Sequence, residues 1–221
     1  VLAVVSNDQG TYLATGRRDF DLNTVFLDVT VPPLVPIGDT TYGPLENELI
    51  YSSIVVPPSY DGEVAARRIV YVGYTSEHGE DDVYKIADDF VWPMGIPTRP
   101  AQSDMPVYSM ALHGGLLMVG EVDAGSSDGR ARVHICDNPA VPAPTNFNWY
   151  EPEKQPSGGF GTGVGNAIVA FTPDGAWAVC GTSSNGVTTA ADWADLTPYV
   201  VWEANRRGAQ SLLRVLSGTS G

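Results

Sequence analysis

Residues 170–186 read AFTPDGAWAVCGTSSNG. An alternating apolar stretch runs into Thr172-Pro173-Asp174-Gly175, a second alternating stretch occupies 176–181, and a polar Ser-Ser-Asn-Gly segment closes it. Alternation with a period of two puts every second side chain on one face, as in a strand with a buried side. An Asp-Gly pair supplies the positive φ that a tight antiparallel turn needs. The stretch therefore reads as a hairpin, and its meaning depends on whether it recurs.

It does recur. VLAVV (1–5) reaches the turn SNDQG (6–10), TYLATG (11–16) reads as a second strand, 17–23 as a polar loop and TVFLDV (24–29) as a third strand. A less regular copy has SSIVV (52–56), a widened turn with Pro57, Pro58 and Asp61-Gly62, then RIVYVG (68–73), a loop at 75–82 and VYKI (83–86). A third has VYSMAL (107–112), the turn His113-Gly114-Gly115, LLMVG (116–120), a loop at 121–130 and ARVHICD (131–137). In the last, AIVAF (167–171) leads into the opening turn, and a long loop reaches YVVWE (199–203). Weaker segments FVW (90–92), FNWY (147–150) and SLLRV (211–215) supply fourth strands, and proline-rich runs at 32–36 and 139–144 lead onward.

Each second strand is expected to end in a glycine, at Gly16, Gly73, Gly120 and Gly181. The glycines lie roughly 47 to 61 residues apart, a period that overlaps and exceeds that of four-stranded propeller blades. A small antiparallel sheet cannot bury both faces alone, so such units stack on their neighbours around an axis. The expected fold is all-β: a β-propeller-like array of about four antiparallel blades over 1–45, 46–105, 106–160 and 161–221, alone or as part of a larger propeller. FTPDGAWAVCG resembles the Ser-Pro-Asp-Gly hairpin of WD40-like and surface-layer propeller blades, and VVWEA (200–204) sits where such blades have their third strand. No Gly-His pair opens a unit and no Trp-Asp pair closes one, so the resemblance reaches the propeller superfamily and no subfamily. The competing architecture is a pair of β-sandwich domains divided near 93–106, since strands at regular spacing suit sandwiches too.

Composition narrows the partners. The 221 residues carry 26 Asp+Glu against 12 Lys+Arg, a formal net charge of −14, and only Lys85 and Lys154 are lysines. A surface this acidic repels phosphate backbones and anionic lipid headgroups, which leaves cations or proteins with basic patches as partners. No apolar run approaches the eighteen or so residues of a spanning helix. No basic, apolar and cleavage regions open the chain; Val1 already lies in a strand-like run, as in a processed chain or a fragment. Cys136 and Cys180 are too few for a disulfide framework and are expected as buried thiols rather than a bridge.

The loops after the second strands collect carboxylates: Asp19 and Asp21, then Glu77, Glu80, Asp81 and Asp82, then Glu121, Asp123 and Asp128. Asp19, Asp21 and Asn23 have the spacing that opens many calcium loops, because alternate residues direct oxygens to one point. Thr24 stands where an EF-hand has glycine and Thr30 where it has glutamate, so the motif offers at most a short calcium clip against a plain solvated loop. His78, His113 and His134 show no zinc-ligand spacing, and His134 is expected on one face of a sheet. No Gly-x-Ser-x-Gly elbow precedes a helix, and the glycine-rich run at 158–165 precedes a strand rather than a phosphate-holding helix. Trp92, Trp149, Tyr150 and Trp193 are the candidate ligand-gripping aromatics, with burial between blades as the competing role.

These readings favour a non-catalytic, extracellular or cell-surface module that presents an acidic loop face to a protein partner within a larger assembly. The first alternative is a glycan-active enzyme, a hydrolase or lyase, with its pocket at the propeller axis; it requires the loop carboxylates to converge. The second is a calcium-stabilised structural module.

Overall fold

The structure is a computed structural model that describes residues 1–7, 10–18, 24–30, 35–36, 49–76, 81–88, 90–95, 106–121, 133–142, 146–150, 166–173, 177–182, 200–205 and 213–217. Among these it is all-β, with four small antiparallel sheets and no α-helix; a single 3-10 turn occupies Ala65–Arg67. The chain divides into two compact units, Val1–Met105 and Pro106–Gly221.

The first unit holds two sheets. In sheet one, β1 (Leu2–Asn7), β2 (Gly10–Arg18) and β3 (Thr24–Val29) pair in order, and β4 (Val35–Pro36) pairs with β2. Because β3 pairs with one end of β2 and β4 with the other, the two are halves of one interrupted third strand. Pro36 was expected in a connection between blades; it instead lies opposite Gly10 on a sheet edge, where its missing N–H removes no ladder bond from the interior. Sheet two is a meander of β5 (Leu49–Val55), β6 (Ile69–Ser76), β7 (Asp82–Ala87) and β8 (Phe90–Pro93).

Register decides which side chains meet. Val4 lies opposite Leu13 in sheet one, and Ile54, Val72 and Tyr84 lie in a row across sheet two. Alternation then turns Leu2, Val4 and Leu13 toward Val70, Val72, Tyr74 and Ile86, which form one apolar cluster. The other face of sheet two is buried as well, since Tyr71, Thr75 and Lys85 are each 2% exposed and Val83 is fully enclosed. Lys85 sits between Tyr71 and Trp92 in register, so its aliphatic stem lies among aromatic neighbours. The other face of sheet one is different: Val5 and Val29 are 37% and 42% exposed.

The second unit also holds two sheets. Sheet three contains β9 (Val107–His113), β10 (Leu116–Glu121), β11 (Val133–Cys136) and β12 (Trp149–Tyr150). Sheet four contains β13 (Ala167–Phe171), β14 (Trp177–Thr182), β15 (Val200–Asn205) and β16 (Leu213–Ser217). The β9–β10 turn is two residues long, with Gly114 at φ 52° and Gly115 at φ 84°, as a type I′ hairpin requires. The opening hairpin of the sequence is β13–β14, paired from Ala167 opposite Thr182 to Phe171 opposite Ala178; Asp174 and Gly175 lie outside the described residues.

Met118 and Val133 of sheet three pack on Ala167, Val169 and Ala178 of sheet four. The opposite face of sheet three buries Leu117, Val119 and Cys136. Cys136 is in no disulfide; its thiol lies 3.4 Å from Asn138 Oδ1. The side chain of Cys180 lies outside the described residues.

A serine and a glycine join these two sheets. The Ser109 hydroxyl on β9 donates to Ala167 O at 2.8 Å and accepts from Val169 N–H at 3.0 Å, so one side chain spans the gap to β13. A β-carbon placed on Gly120 would stand 2.3 Å from Ala167 O. The four repeated glycines thus do not end their strands: β2 runs on to Arg18, β6 to Ser76, β10 to Glu121 and β14 to Thr182. Gly16 and Gly120 instead mark register shifts, where an irregular strand accommodates a residue without a side chain. We expect Ser109→Ala to cost about 1 to 3 kcal/mol, because Ala167 O and Val169 N–H lose their shared partner in a partly buried seam. A denaturant midpoint unchanged from the parent would show that the hydroxyl does not hold the sheets together.

Candidate functional site

The first unit contains a cleft of about 700 Å³ between sheets one and two. Its inner wall continues the apolar cluster of that unit through Leu13, Ile54, Val70 and Ile86. Its mouth carries polar groups from the segments that leave the strands: Tyr60, Glu63, Arg68 and Asp88.

Backbone bonds hold this mouth in shape. Asp61 Oδ1 accepts from Glu63 N–H at 2.9 Å, a local turn that mimics a backbone turn, and Asp61 O accepts from Val64 N–H. The 3-10 turn follows, and Asp61 N–H reaches back to Arg67 O at 3.2 Å, closing the β5–β6 connection on itself. Arg68 and Asp88 then clasp across the sheet in two ways. Asp88 N–H donates to Arg68 O at 3.1 Å, and Arg68 Nη1 donates to Asp88 Oδ1 at 2.9 Å. Asp88 takes φ 54°, a left-handed conformation that aspartate tolerates better than most residues. The pair is 42% and 35% exposed, so it contributes little to stability by itself and leaves the guanidinium accessible.

The acids expected to form a loop face behave differently where they are described. Asp81 is 7% exposed, and its Oδ1 accepts from Ser76 N–H at 2.7 Å across the base of the β6–β7 loop. Asp82 accepts from Val83 N–H at 2.6 Å and, through Oδ2, from Gly95 N–H at 3.1 Å. Glu121, expected at the start of a loop, closes β10 and meets His134 Nε2 at 2.6 Å through Oε1. These three carboxylates serve their own hairpins. For Asp81 and Asp82 the physical reason is local: strand ends leave N–H groups without ladder partners, and a nearby carboxylate satisfies them, whereas Glu121 bonds a neighbouring strand's imidazole. Glu77, Glu80, Asp123 and Asp128 lie outside the described residues, as do Asp19, Asp21 and Asn23 of the calcium-like motif.

The candidate aromatics are dispersed. Trp92 lies on β8 and stacks on Phe90, ring centroids 5.4 Å apart and planes 18° from parallel. Phe90 is 63% exposed, so the stack forms an outer rim of sheet two. Trp149 and Tyr150 form β12, opposite Cys136 and Ile135, and Trp193 lies outside the described residues. Among the described residues no three His, Cys, Asp or Glu side chains gather as metal ligands. No helix among them is long and apolar enough to cross a membrane.

Sequence reasoning did not find the cleft. Its residues come from β1–β2, the β5–β6 connection and the β7–β8 turn, and no spacing relates Leu13, Glu63, Arg68 and Asp88 until the sheets stack. No family model matches the chain, and no curated protein matches it.

Proposed function

We propose that the chain is a non-catalytic β-propeller-type interaction module, an array of about four blades completed by a protein partner in a larger assembly outside the cell or at its surface. The observation that carries this reading is the open face of sheet one. Val5 and Val29 are exposed there beside the half-buried Ala3 and Tyr12 and the buried Ala14, whereas the central strands β6 and β7 of sheet two bury both faces. A blade-like sheet with a partly uncovered apolar face gains stability from any further sheet laid against it. Contacts between sheets add support to the radial arrangement. In the first unit β1 neighbours β5, and in the second β13 neighbours β9 and β10, while central strands also pack through Leu13 on Val70 and Ile86 and through Met118 on Ala178. Sheets that fan out from an axis approach most closely along their innermost strands, while the sheets of a sandwich oppose their central strands.

The net charge of −14 favours a partner whose apolar contact surface is framed by basic residues. The scarcity of lysine is the compositional support for a location outside the cytoplasm. Asp81, Asp82 and Glu121 are used within their own sheets, and the flank of sheet one is the contact favoured here.

The test is cross-linking in the native source followed by reconstitution with the identified partner. Cross-links should map to β1 and β3, and Val5→Lys should weaken the reconstituted complex at least tenfold while leaving the isolated chain folded. A chain that stays monodisperse in its native source, joins no assembly and turns over a glycan or peptide would defeat the proposal.

A further inference from the structure

We propose that the cleft of the first unit binds an aliphatic α-amino acid, with its carboxylate on Arg68, its ammonium group on Glu63 and Asp88, and its side chain against Leu13, Ile54, Val70 and Ile86. The inference does not rest on the assembly reading, although Val29 borders both this cleft and the face invoked there.

Three observations point to this chemistry. The first is size, since about 700 Å³ falls within the range of small-molecule sites. The second is the wall. Leu13, Val70 and Ile86 are 2%, 2% and 3% exposed, so the cleft ends on dry aliphatic core rather than on a solvated surface. A branched aliphatic group placed against this wall meets methyl and methylene groups, and each buried carbon adds to affinity.

The third is the distribution of charge at the mouth. Among the described residues the Arg68 guanidinium meets only Asp88, through Nη1, and its Nε is buried with no hydrogen-bond partner. Nη2 and the second Nη1 proton are not used by Asp88, so the guanidinium keeps donors for a ligand carboxylate. Glu63 is exposed and lines the cleft, and its backbone N–H is held by Asp61, so it brings a carboxylate to the rim. Arg68 beside Glu63 and Asp88 puts charges of both signs at the mouth, which suits a ligand that carries both; the Val1 ammonium, also in the lining, is bonded to Gly16 O at 2.9 Å. A simple anion would meet Glu63 and Asp88 in a chain that already bears −14, and a simple cation would meet Arg68. A zwitterion with an apolar tail satisfies the wall and both signs together. The bonded turns around Asp61 and the Arg68–Asp88 clasp fix these groups before a ligand arrives, which lowers the ordering cost of binding.

Isothermal titration of the full 221-residue chain with L-leucine, L-isoleucine and L-valine tests the proposal. Saturable one-to-one binding is expected for all three. N-acetyl-leucine, which lacks the ammonium group, and leucinamide, which lacks the carboxylate, should each bind at least about tenfold more weakly. Glycine, without the aliphatic tail, should give no measurable heat. Glu63→Gln changes an exposed side chain and leaves the fold intact, so a tenfold loss of leucine affinity in that variant reports the site itself. Arg68→Met should lose as much, with circular dichroism confirming its fold. Absence of saturable binding by any of the three amino acids at millimolar concentration overturns the proposal. So does leucine affinity that Glu63→Gln leaves unchanged.

Discussion

Gly120→Ala should lower the stability of the protein by about 3 kcal/mol or more, because the new methyl group has nowhere to go. Its position would be 2.3 Å from Ala167 O and 2.9 Å from the carbonyl carbon, both backbone atoms of β13, so no side-chain rotation relieves the clash. β10 and β13 would have to separate, and the Ser109 bonds to Ala167 and Val169 would stretch with them. The control is Gly115→Ala in the β9–β10 turn. There φ is 84° and nothing lies within 4 Å of the added carbon, so only the backbone penalty of about 1 to 2 kcal/mol applies. Thermal melting should place Gly120→Ala on the order of 10 °C below the parent and clearly below the control. Equal melting of the two variants would mean that sheets three and four do not approach at this seam.

The second large effect belongs to Glu121 and His134. His134 is 2% exposed and Glu121 14%, and their side chains meet at 2.6 Å on the buried face of sheet three. Removing one member leaves the other enclosed beside Leu117 and Val119, where water cannot replace the lost partner. Glu121→Ala should therefore cost roughly 2 to 4 kcal/mol, and His134→Ala a similar amount plus the cavity it opens. The double replacement Glu121→Leu with His134→Phe should recover much of the loss, since both polar groups vanish together and the volume is refilled. A denaturant series on the three variants gives the coupling between the two positions. Strict additivity of the two single losses would show that the pair does not act as a unit.

The same pair shows where sequence reading reaches its limit. His134 was legible as a sheet residue because alternation in ARVHICD leaves it a strand position. Glu121 read as a loop acid because it follows Gly120 and precedes a polar run. Nothing in that order of residues indicates that β10 continues through Glu121 or that its carboxylate turns inward. Asp81 and Asp82 repeat the lesson: an acid at a strand end looks solvated in sequence, but the strand end itself supplies the N–H groups that draw it in.

The repeated glycines were legible as a pattern before they were legible as a cause. Their recurrence at 16, 73, 120 and 181 marks corresponding places on the second strands of the four sheets. As strand terminators they were misread. At Gly120 the cause is the carbonyl of a residue 47 positions further on, at Ala167. A contact of that kind leaves no periodic signal, since it depends on how one sheet rests on the next.

The first three strands of each sheet, their order and the all-β class followed from the chain alone, because alternation and turn chemistry act over a few residues; β4 did not. Which faces stay open, which carboxylates turn inward and where a cleft forms were decided only when the sheets stacked. Those outcomes depend on distances between residues far apart along the chain, and local preferences carry no record of them.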